Sequence, residues 1–158
     1  MNLSLAKSRS SFREQSAWIS IGVLLVVFIP YFTNVFRLFL SRTLNAGAVM
    51  GLFIAATVVT IILQVALHLA CAILSPPETR DERDRAIELK SFRIAYGVLA
   101  VTLFLSIGAI VIRALPGKVS PNDQWLGPVF LSQLFFFCFV LAEIGKYFTQ
   151  ALSYRRGA

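Results

Sequence analysis

The sequence has few of the residues that build catalytic or metal sites. Its 158 residues include one histidine and two cysteines, whereas a protein metal site usually needs several His, Cys or carboxylate ligands. Cys71 and Cys138 both lie within apolar segments, where a free cysteine acts as a small buried apolar residue, so no disulfide framework is expected. Glycine-rich phosphate loops and the GxSxG and HExxH motifs do not occur. We therefore expect no cofactor, no metal and no enzymatic activity.

Charged residues are also scarce, and they are unevenly distributed. They make up 15% of the chain, whereas 57% of the residues are hydrophobic and the mean hydropathy is +0.74. Because an ion is costly in hydrocarbon, charges confined to the gaps between apolar blocks are typical of a polytopic membrane protein. The net charge of +7 then fits loops that lie against anionic lipid headgroups. We expect no nucleic-acid partner, because the basic residues form no separate domain.

Four apolar blocks are long enough to cross about 30 Å of hydrocarbon at about 1.5 Å per residue. The whole chain, residues 1–158, is therefore predicted to be a single transmembrane domain, an all-α bundle of four helices. The predicted helices span residues 12–40, 46–74, 79–115 and 123–152.

The third helix is predicted to begin outside the bilayer. Residues 75–93 hold five acidic and five basic side chains. Thr79 and Glu82 have the spacing of a capping box, and two Arg/Asp pairs within residues 80–85 are four positions apart, which supports a helix. No helix breaker separates them from the apolar block that begins at Phe92. We therefore expect one continuous helix whose first three turns extend into the cytoplasm.

Lysine and arginine counts predict the orientation. The N-terminal segment, residues 75–93 and the tail from Lys146 together hold eleven of these residues, and the other two connections hold four. Cytoplasmic loops carry an excess of Lys and Arg. We therefore predict a multi-pass protein of the bacterial plasma (inner) membrane with both termini in the cytoplasm.

The second helix carries a ladder of small residues at its outer end. Gly47, Gly51 and Ala55 are four positions apart, a spacing that lets two helices approach closely. The ladder is expected to pack within the bundle. A seam between two copies of the chain is the alternative.

Polar residues at membrane depth define a candidate cluster near the inner leaflet. The cluster comprises Gln64, His68, Arg93, Tyr96, Glu143 and Lys146. His68 and Glu143 are predicted to lie at similar depth, about two turns from the cytoplasmic ends of their helices. A hydrogen-bonded clasp between them, with Lys146 snorkelling to the headgroups, is favoured over a site for a small molecule, an ion or a proton.

Two short motifs add a resemblance to a known class of proteins. The first consists of Asp81-Glu82-Arg83, Ile87, Lys90 and Arg93, and the second of Glu143, Lys146, Gln150 and the tail Tyr154-Arg155-Arg156-Gly157. Both resemble motifs of small four-helix membrane proteins of bacteria and archaea, a domain of unknown function class. The resemblance covers the middle loop and the final helix. It implies four helices with a charged cytoplasmic entry to the third, and it carries no activity.

These patterns predict a non-enzymatic interaction or regulatory subunit that contacts the lipid bilayer and a protein partner or a second copy of itself. The expected partner surface is the charged start of the third helix, with Asp81, Glu82, Arg83, Ile87 and Lys90. The alternative is binding or transport of a small molecule, an ion or a proton at the polar cluster. A membrane enzyme that acts on lipid-like substrates is a third option.

The predicted orientation can be tested by labelling cysteines from outside the cell. In a chain whose native cysteines are replaced, single cysteines at Arg42 and Lys118 should react with an impermeant maleimide, because the charge counts place both outside. A cysteine at Arg85 should stay unlabelled until the cells are permeabilised. External labelling at position 85 would reverse the orientation.

Overall fold

The computed structural model describes residues 12–74, 81–113 and 127–156. These residues form four α-helices and no strand: α1 (Phe12–Leu40), α2 (Ala46–Leu74), α3 (Glu82–Arg113) and α4 (Pro128–Arg155). All four helices are long and apolar enough to cross a membrane. The predicted all-α architecture is confirmed, and α1 and α2 have the predicted bounds.

The start of α3 differs from the prediction. Asp81 is not helical; its Oδ1 accepts the backbone N–H of Asp84 at 2.8 Å, and its own N–H donates to Asp84 Oδ2 at 3.0 Å. These reciprocal bonds cap the helix, so α3 begins at Glu82 and the predicted continuous start at Thr79 is wrong. Residues 75–80 lie outside the described part of the chain. From Glu82 onward the helix is continuous, as predicted.

The start of α4 also differs from the predicted position 123. Gly127 has an extended backbone, with φ −68° and ψ 142°, because a proline disfavours the helical conformation in the residue before it. The helix therefore begins at Pro128, and it continues through Arg155 rather than ending at 152. The predicted end of α3 at 115 falls in residues 114–126, which lie outside the described ranges.

A left-handed residue closes the turn between α1 and α2. Arg42 has φ 56°, and the N–H of Thr43 donates to the Leu38 carbonyl at 3.0 Å. This is the hydrogen-bond pattern of a Schellman motif, where glycine is the usual left-handed residue. Asn45 then caps α2, since its Oδ1 accepts the N–H of Ala48 at 2.8 Å.

The helices α1 and α4 form the central pair of the bundle. α1 packs against both α2 and α4, and α3 packs against α4. In the most apolar stretch of each helix, 44% of the residues are buried in α1, against 11% in α2, 6% in α3 and 17% in α4. The outer faces of α2 and α3 are therefore left to lipid or to other proteins.

Aromatic rings fill the seam between the central helices. Phe28 and Tyr31 of α1 meet Phe136 of α4 nearly edge to face, with centroids 5.5 and 5.8 Å apart, and Phe53 of α2 lies 5.1 Å from the same ring. Such edge-to-face pairs are favourable beyond the area they bury. In a bilayer, where lipid tails are as apolar as the side chains, this close packing is what holds helices together.

The small-residue ladder of α2 does not pack inside the bundle. Gly47, Gly51 and Ala55 are exposed, and a Cβ added at Gly51 would meet no atom within 4 Å. The face of α2 that is buried instead carries Val49 and Ala56. The expectation of internal packing is therefore wrong, and the ladder faces the surroundings of the protein.

Gly145 and Gly51 provide a matched test of this arrangement. A Cβ at Gly145 would already lie 3.5 Å from Cγ2 of Val98 on α3, so a larger side chain must displace that helix. We expect Gly145→Leu to destabilise the protein in detergent by about 1–3 kcal/mol, the usual cost of overpacking. Gly51→Leu should leave the unfolding temperature unchanged or slightly raised. Equal destabilisation by the two variants would contradict the packing described here.

Candidate functional site

The predicted polar cluster is divided between two helix pairs. The first group joins α1 to α2 and consists of Ser20, Gln64 and His68. The second lies between α3 and α4 and consists of Phe92, Glu143, Lys146 and Tyr147. The remaining predicted members, Arg93 and Tyr96, are exposed on α3. Among the described residues no hydrogen bond or ion pair joins His68 to Glu143, so the structure does not form the predicted clasp between α2 and α4.

The first group is centred on a serine that sequence reasoning missed. Ser20 Oγ lies 3.4 Å from Gln64 Oε1 and 3.4 Å from His68 Nε2. The Nδ1 atom of His68 lies 2.7 Å from the backbone oxygen of Gln64, one turn earlier on α2. That carbonyl can only accept, so Nδ1 carries the proton and Nε2 is left as an acceptor. The imidazole is thus held in one orientation, with its free nitrogen toward α1.

A serine hydroxyl beside an oriented imidazole is also the pairing that activates a serine nucleophile. Ser20, however, is only 1% exposed, so a substrate has no access to its oxygen. Its single hydroxyl proton has three acceptors within reach: the backbone oxygen of Ser16 at 3.0 Å, and Gln64 Oε1 and His68 Nε2 at 3.4 Å. When that proton points to α2, the first group forms an interhelical clasp between α1 and α2.

His68 and Glu143 lie within one helical turn of each other in depth. The Trp18 ring lies 6.3 Å from the Phe148 ring of α4, so these two residues share a level. Ser20, the partner of His68, lies two residues beyond Trp18, and Glu143 lies five residues before Phe148 on the antiparallel helix. The remaining difference of three residues is roughly 4.5 Å along the helix axis. The two side chains are therefore kept apart by the helix pairs to which they belong and not by depth.

The second group is a charged pair bordered by aromatic rings. Lys146 Nζ donates to Glu143 Oε2 and lies 5.4 Å from the centroid of Phe92 and 4.5 Å from that of Tyr147. A cation over an aromatic face is stabilised further where water is excluded. The Lys146 side chain is only 13% exposed, and a charge buried to this degree requires its partner.

The contact between Lys146 and Glu143 contradicts the predicted snorkelling of the lysine. Side chains on a helix tilt toward its N-terminus. In α4 that direction leads away from the C-terminal end, which is the end predicted to lie in the cytoplasm. Lys146 therefore reaches back one turn to Glu143 instead of forward to the headgroups.

A third polar region, which sequence reasoning also missed, joins the starts of α1 and α3 to the end of α4. Arg13 Nη2 lies 3.1 Å from Asp84 Oδ2, and the Tyr154 hydroxyl pairs with both side chains. One turn away, Gln150 Nε2 donates to Ser91 Oγ at 3.1 Å. We call these five residues the helix-end junction. Asp84 thus bonds to another helix, and Asp81 caps its own. The predicted pair of Arg80 with Asp84 involves a residue outside the described part of the chain.

Asp84 lies in the charged turns ahead of the apolar block of α3. Burial, the largest influence, raises the pKa of its carboxyl group, but the Asp81 backbone N–H, the Arg13 guanidinium and the Tyr154 hydroxyl together hold the pKa below its ordinary value. The carboxylate is therefore charged at neutral pH and attracts Arg13.

The predicted partner surface is partly buried. Ile87 is only 4% exposed and belongs to the same side of α3 as Asp84, Ser91 and Ala95, which are also buried. Residues spaced by three or four positions share one face of a helix, and this face packs against the rest of the protein. Ile87 is therefore not available to a partner. The other predicted members, Asp81, Glu82, Arg83 and Lys90, are exposed.

A shallow groove follows the exposed side of the start of α3. Its volume is about 500 Å³, and it is lined by Asp81, Glu82, Arg85, Glu88, Leu89 and Phe92. Leu89 is 61% exposed and Phe92 is 52% exposed. Leu89 precedes the apolar block, so this leucine stands among charged side chains instead of lipid tails. We call this feature the α3 groove.

Neither polar group within the bundle leaves a buried side-chain atom unpaired. In residues 12–74, 81–113 and 127–156, every buried polar side-chain atom has a partner. The same residues contain no cluster of three or more His, Cys, Asp or Glu side chains that could hold a metal ion.

No protein-family model, curated protein or solved structure matches this chain. The resemblance to small membrane proteins of unknown function therefore stays a prediction, and the function has to be argued from the geometry.

A double-mutant cycle distinguishes the observed clasp from the predicted one. Ser20→Ala and His68→Ala should each destabilise the protein in detergent, and their combination should cost less than the sum by about 0.5–1.7 kcal/mol, the range for interhelical hydrogen bonds in membranes. His68→Ala and Glu143→Gln serve as the control pair. Because these residues share no contact, their costs should add within about 0.5 kcal/mol. Coupling between His68 and Glu143, with none between His68 and Ser20, would restore the predicted clasp.

Proposed function

We propose that this protein is a non-enzymatic interaction or regulatory subunit of the bacterial inner membrane, and that a partner protein docks in the α3 groove. The observation that supports the proposal is Leu89, a large apolar side chain that is 61% exposed outside the apolar block. In the membrane span an exposed leucine needs no partner, because lipid solvates it. Among charged side chains the same exposure to water is unfavourable. A partner that covered Leu89 would remove this exposed apolar surface from water.

The rigidity of the α3 groove also supports docking. Its helix is capped by Asp81 and Asp84, and the opposite face is anchored by buried Ile87 and by the helix-end junction. A surface that is already ordered loses little conformational entropy when it binds.

The lining of the groove indicates the chemistry of the partner. Three acidic residues and one arginine surround the two apolar side chains. A complementary segment would present one or two apolar side chains to Leu89 and Phe92, with basic residues on either side. Charge complementarity of this kind governs partner choice and association rate more than affinity.

The alternative functions have less support from the geometry. A small-molecule, ion or proton site was expected where His68 and Glu143 meet, but the two lie in separate groups, neither of which leaves a buried side-chain atom unpaired. Self-association is favoured by one observation, the exposed ladder of Gly47, Gly51 and Ala55 on α2. A second copy of the chain is therefore the second candidate partner, and it would bind through a different helix.

Site-specific photo-crosslinking in native membranes tests the proposal. A photoreactive amino acid at Leu89 should give a discrete protein adduct, which should weaken when Glu82 is changed to Lys, because the groove loses its charge complementarity. The matched control is the same probe at Leu105, which is 64% exposed on the same helix but lies within the apolar block.

A discrete adduct from position 89 and none from position 105 would support docking in the α3 groove. An adduct of twice the 17.5 kDa chain mass would identify the partner as a second copy. No protein adduct from position 89, or the same adducts from both positions, would overturn the proposal.

A further inference from the structure

Two cations at the same level of the bundle are neutralised in different ways. Lys146 of α4 lies over the Phe92 ring of α3 and is paired with Glu143. Arg93, the residue next to Phe92, is exposed, and no acidic side chain in the described ranges pairs with it. A charged side chain at the edge of the apolar block requires an anionic partner or full hydration. The described residues supply that partner for Lys146 and supply none for Arg93.

The surroundings of Arg93 form a continuous basic strip on the outer side of α3. Lys90, Arg93 and Gly97 follow one another at spacings of three and four, so they share one face of the helix. All three are exposed, and this face points away from the buried side that holds Ile87 and Ser91. The neighbours of Arg93 one turn away include no acidic residue. The strip therefore complements a negative charge that comes from outside the protein.

The direction of α3 aims these side chains at the bilayer surface. Cα–Cβ bonds tilt toward the helix N-terminus, and the N-terminus of α3 is the end that leaves the membrane at Glu82. Long side chains at positions 90, 93 and 96 therefore extend toward the headgroup layer and not toward the bilayer centre. Tyr96 is 75% exposed, and a tyrosine at this level places its hydroxyl among the headgroups.

Gly97, one turn beyond Arg93, has no side chain, and we call the uncovered backbone at this position the Gly97 notch. A Cβ built at this glycine would meet nothing within 4 Å, and exposed Val101 and Phe104 continue the same face toward the bilayer centre. The face thus presents cations at headgroup level, then a recess, and then an apolar strip. This order of features along the helix matches a lipid phosphate group followed by its acyl chain.

We propose that Lys90 and Arg93, with Tyr96 and the Gly97 notch, bind the phosphate headgroup of an anionic phospholipid of the surrounding leaflet. The lipid lies against the outer face of α3 with one acyl chain along Gly97 and Val101. The site adjoins the α3 groove, because Tyr96 lies one turn beyond the groove residue Phe92 on the same face, and it requires no partner protein.

Native mass spectrometry of the full-length protein in detergent tests this proposal by titration with two lipids that share the same acyl chains. We expect phosphatidylglycerol to bind and phosphatidylcholine to bind far more weakly. Lys90→Gln with Arg93→Gln should weaken phosphatidylglycerol binding roughly 30-fold. Each basic side chain near an anionic surface contributes about 1 kcal/mol, and about 1.4 kcal/mol corresponds to a tenfold change in affinity. Gly97→Leu should weaken it as well without lowering the unfolding temperature, because the notch is open.

The matched control is Arg37→Gln with Arg42→Gln, which removes the same charge from two exposed arginines near the opposite end of the bundle. Unchanged binding in this control supports the site. Equal losses in both double variants, equal binding of the two lipids, or displacement of phosphatidylglycerol by millimolar inorganic phosphate would each overturn it. The assay contains no partner protein, so its outcome is independent of the crosslinking result at Leu89.

Discussion

The contact between α1 and α4 determines where every other helix lies. α2 reaches the bundle mainly through α1, and α3 reaches it through α4, so neither flanking helix is positioned without the central pair. The aromatic seam around Phe28, Tyr31 and Phe136 supplies this contact in a solvent where apolar burial gives no driving force. Each flanking helix therefore packs mainly against one central helix, and its outer face remains free. These outer faces carry the α3 groove, the basic strip and the small-residue ladder.

Helix direction decides how the membrane-level cations are neutralised. Lys146 lies on a helix whose side chains tilt toward the bilayer interior, so it requires Glu143 in the same chain. Arg93 lies at the same level on a helix of opposite direction, so its side chain tilts toward the headgroups. A lysine and an arginine that look equivalent in the sequence thus have different environments. One completes an internal ion pair, and the other faces the lipid.

The sequence predicted the fold well, because block length and hydropathy suffice to locate transmembrane helices. It predicted the candidate site poorly. A polar contact between helices depends on their rotation and axial register, which no single-chain pattern specifies. Ser20 looked like an ordinary member of an apolar block, yet it is the partner of His68. Glu143 was predicted to contact His68 because both lie at similar depth, but its side chain belongs to the α3–α4 pair and that of His68 to the α1–α2 pair. The burial of Ile87 could have been predicted, because its spacing from Asp84 and Ser91 places the three residues on one face of the helix.

The helix-end junction has a consequence for biogenesis. Arg13, Asp84 and Tyr154 lie on α1, at the start of α3 and in the last turn of α4, so the junction closes only after α4 has been made. Chains are made and begin to fold from the N-terminus, and the hairpin of α1 and α2 is local enough to assemble first. Until α4 arrives, the face of α1 that carries Phe28 and Tyr31 stays against lipid. A chain that stalls before α4 is made therefore inserts without acquiring its native centre, although α1 is already paired with α2.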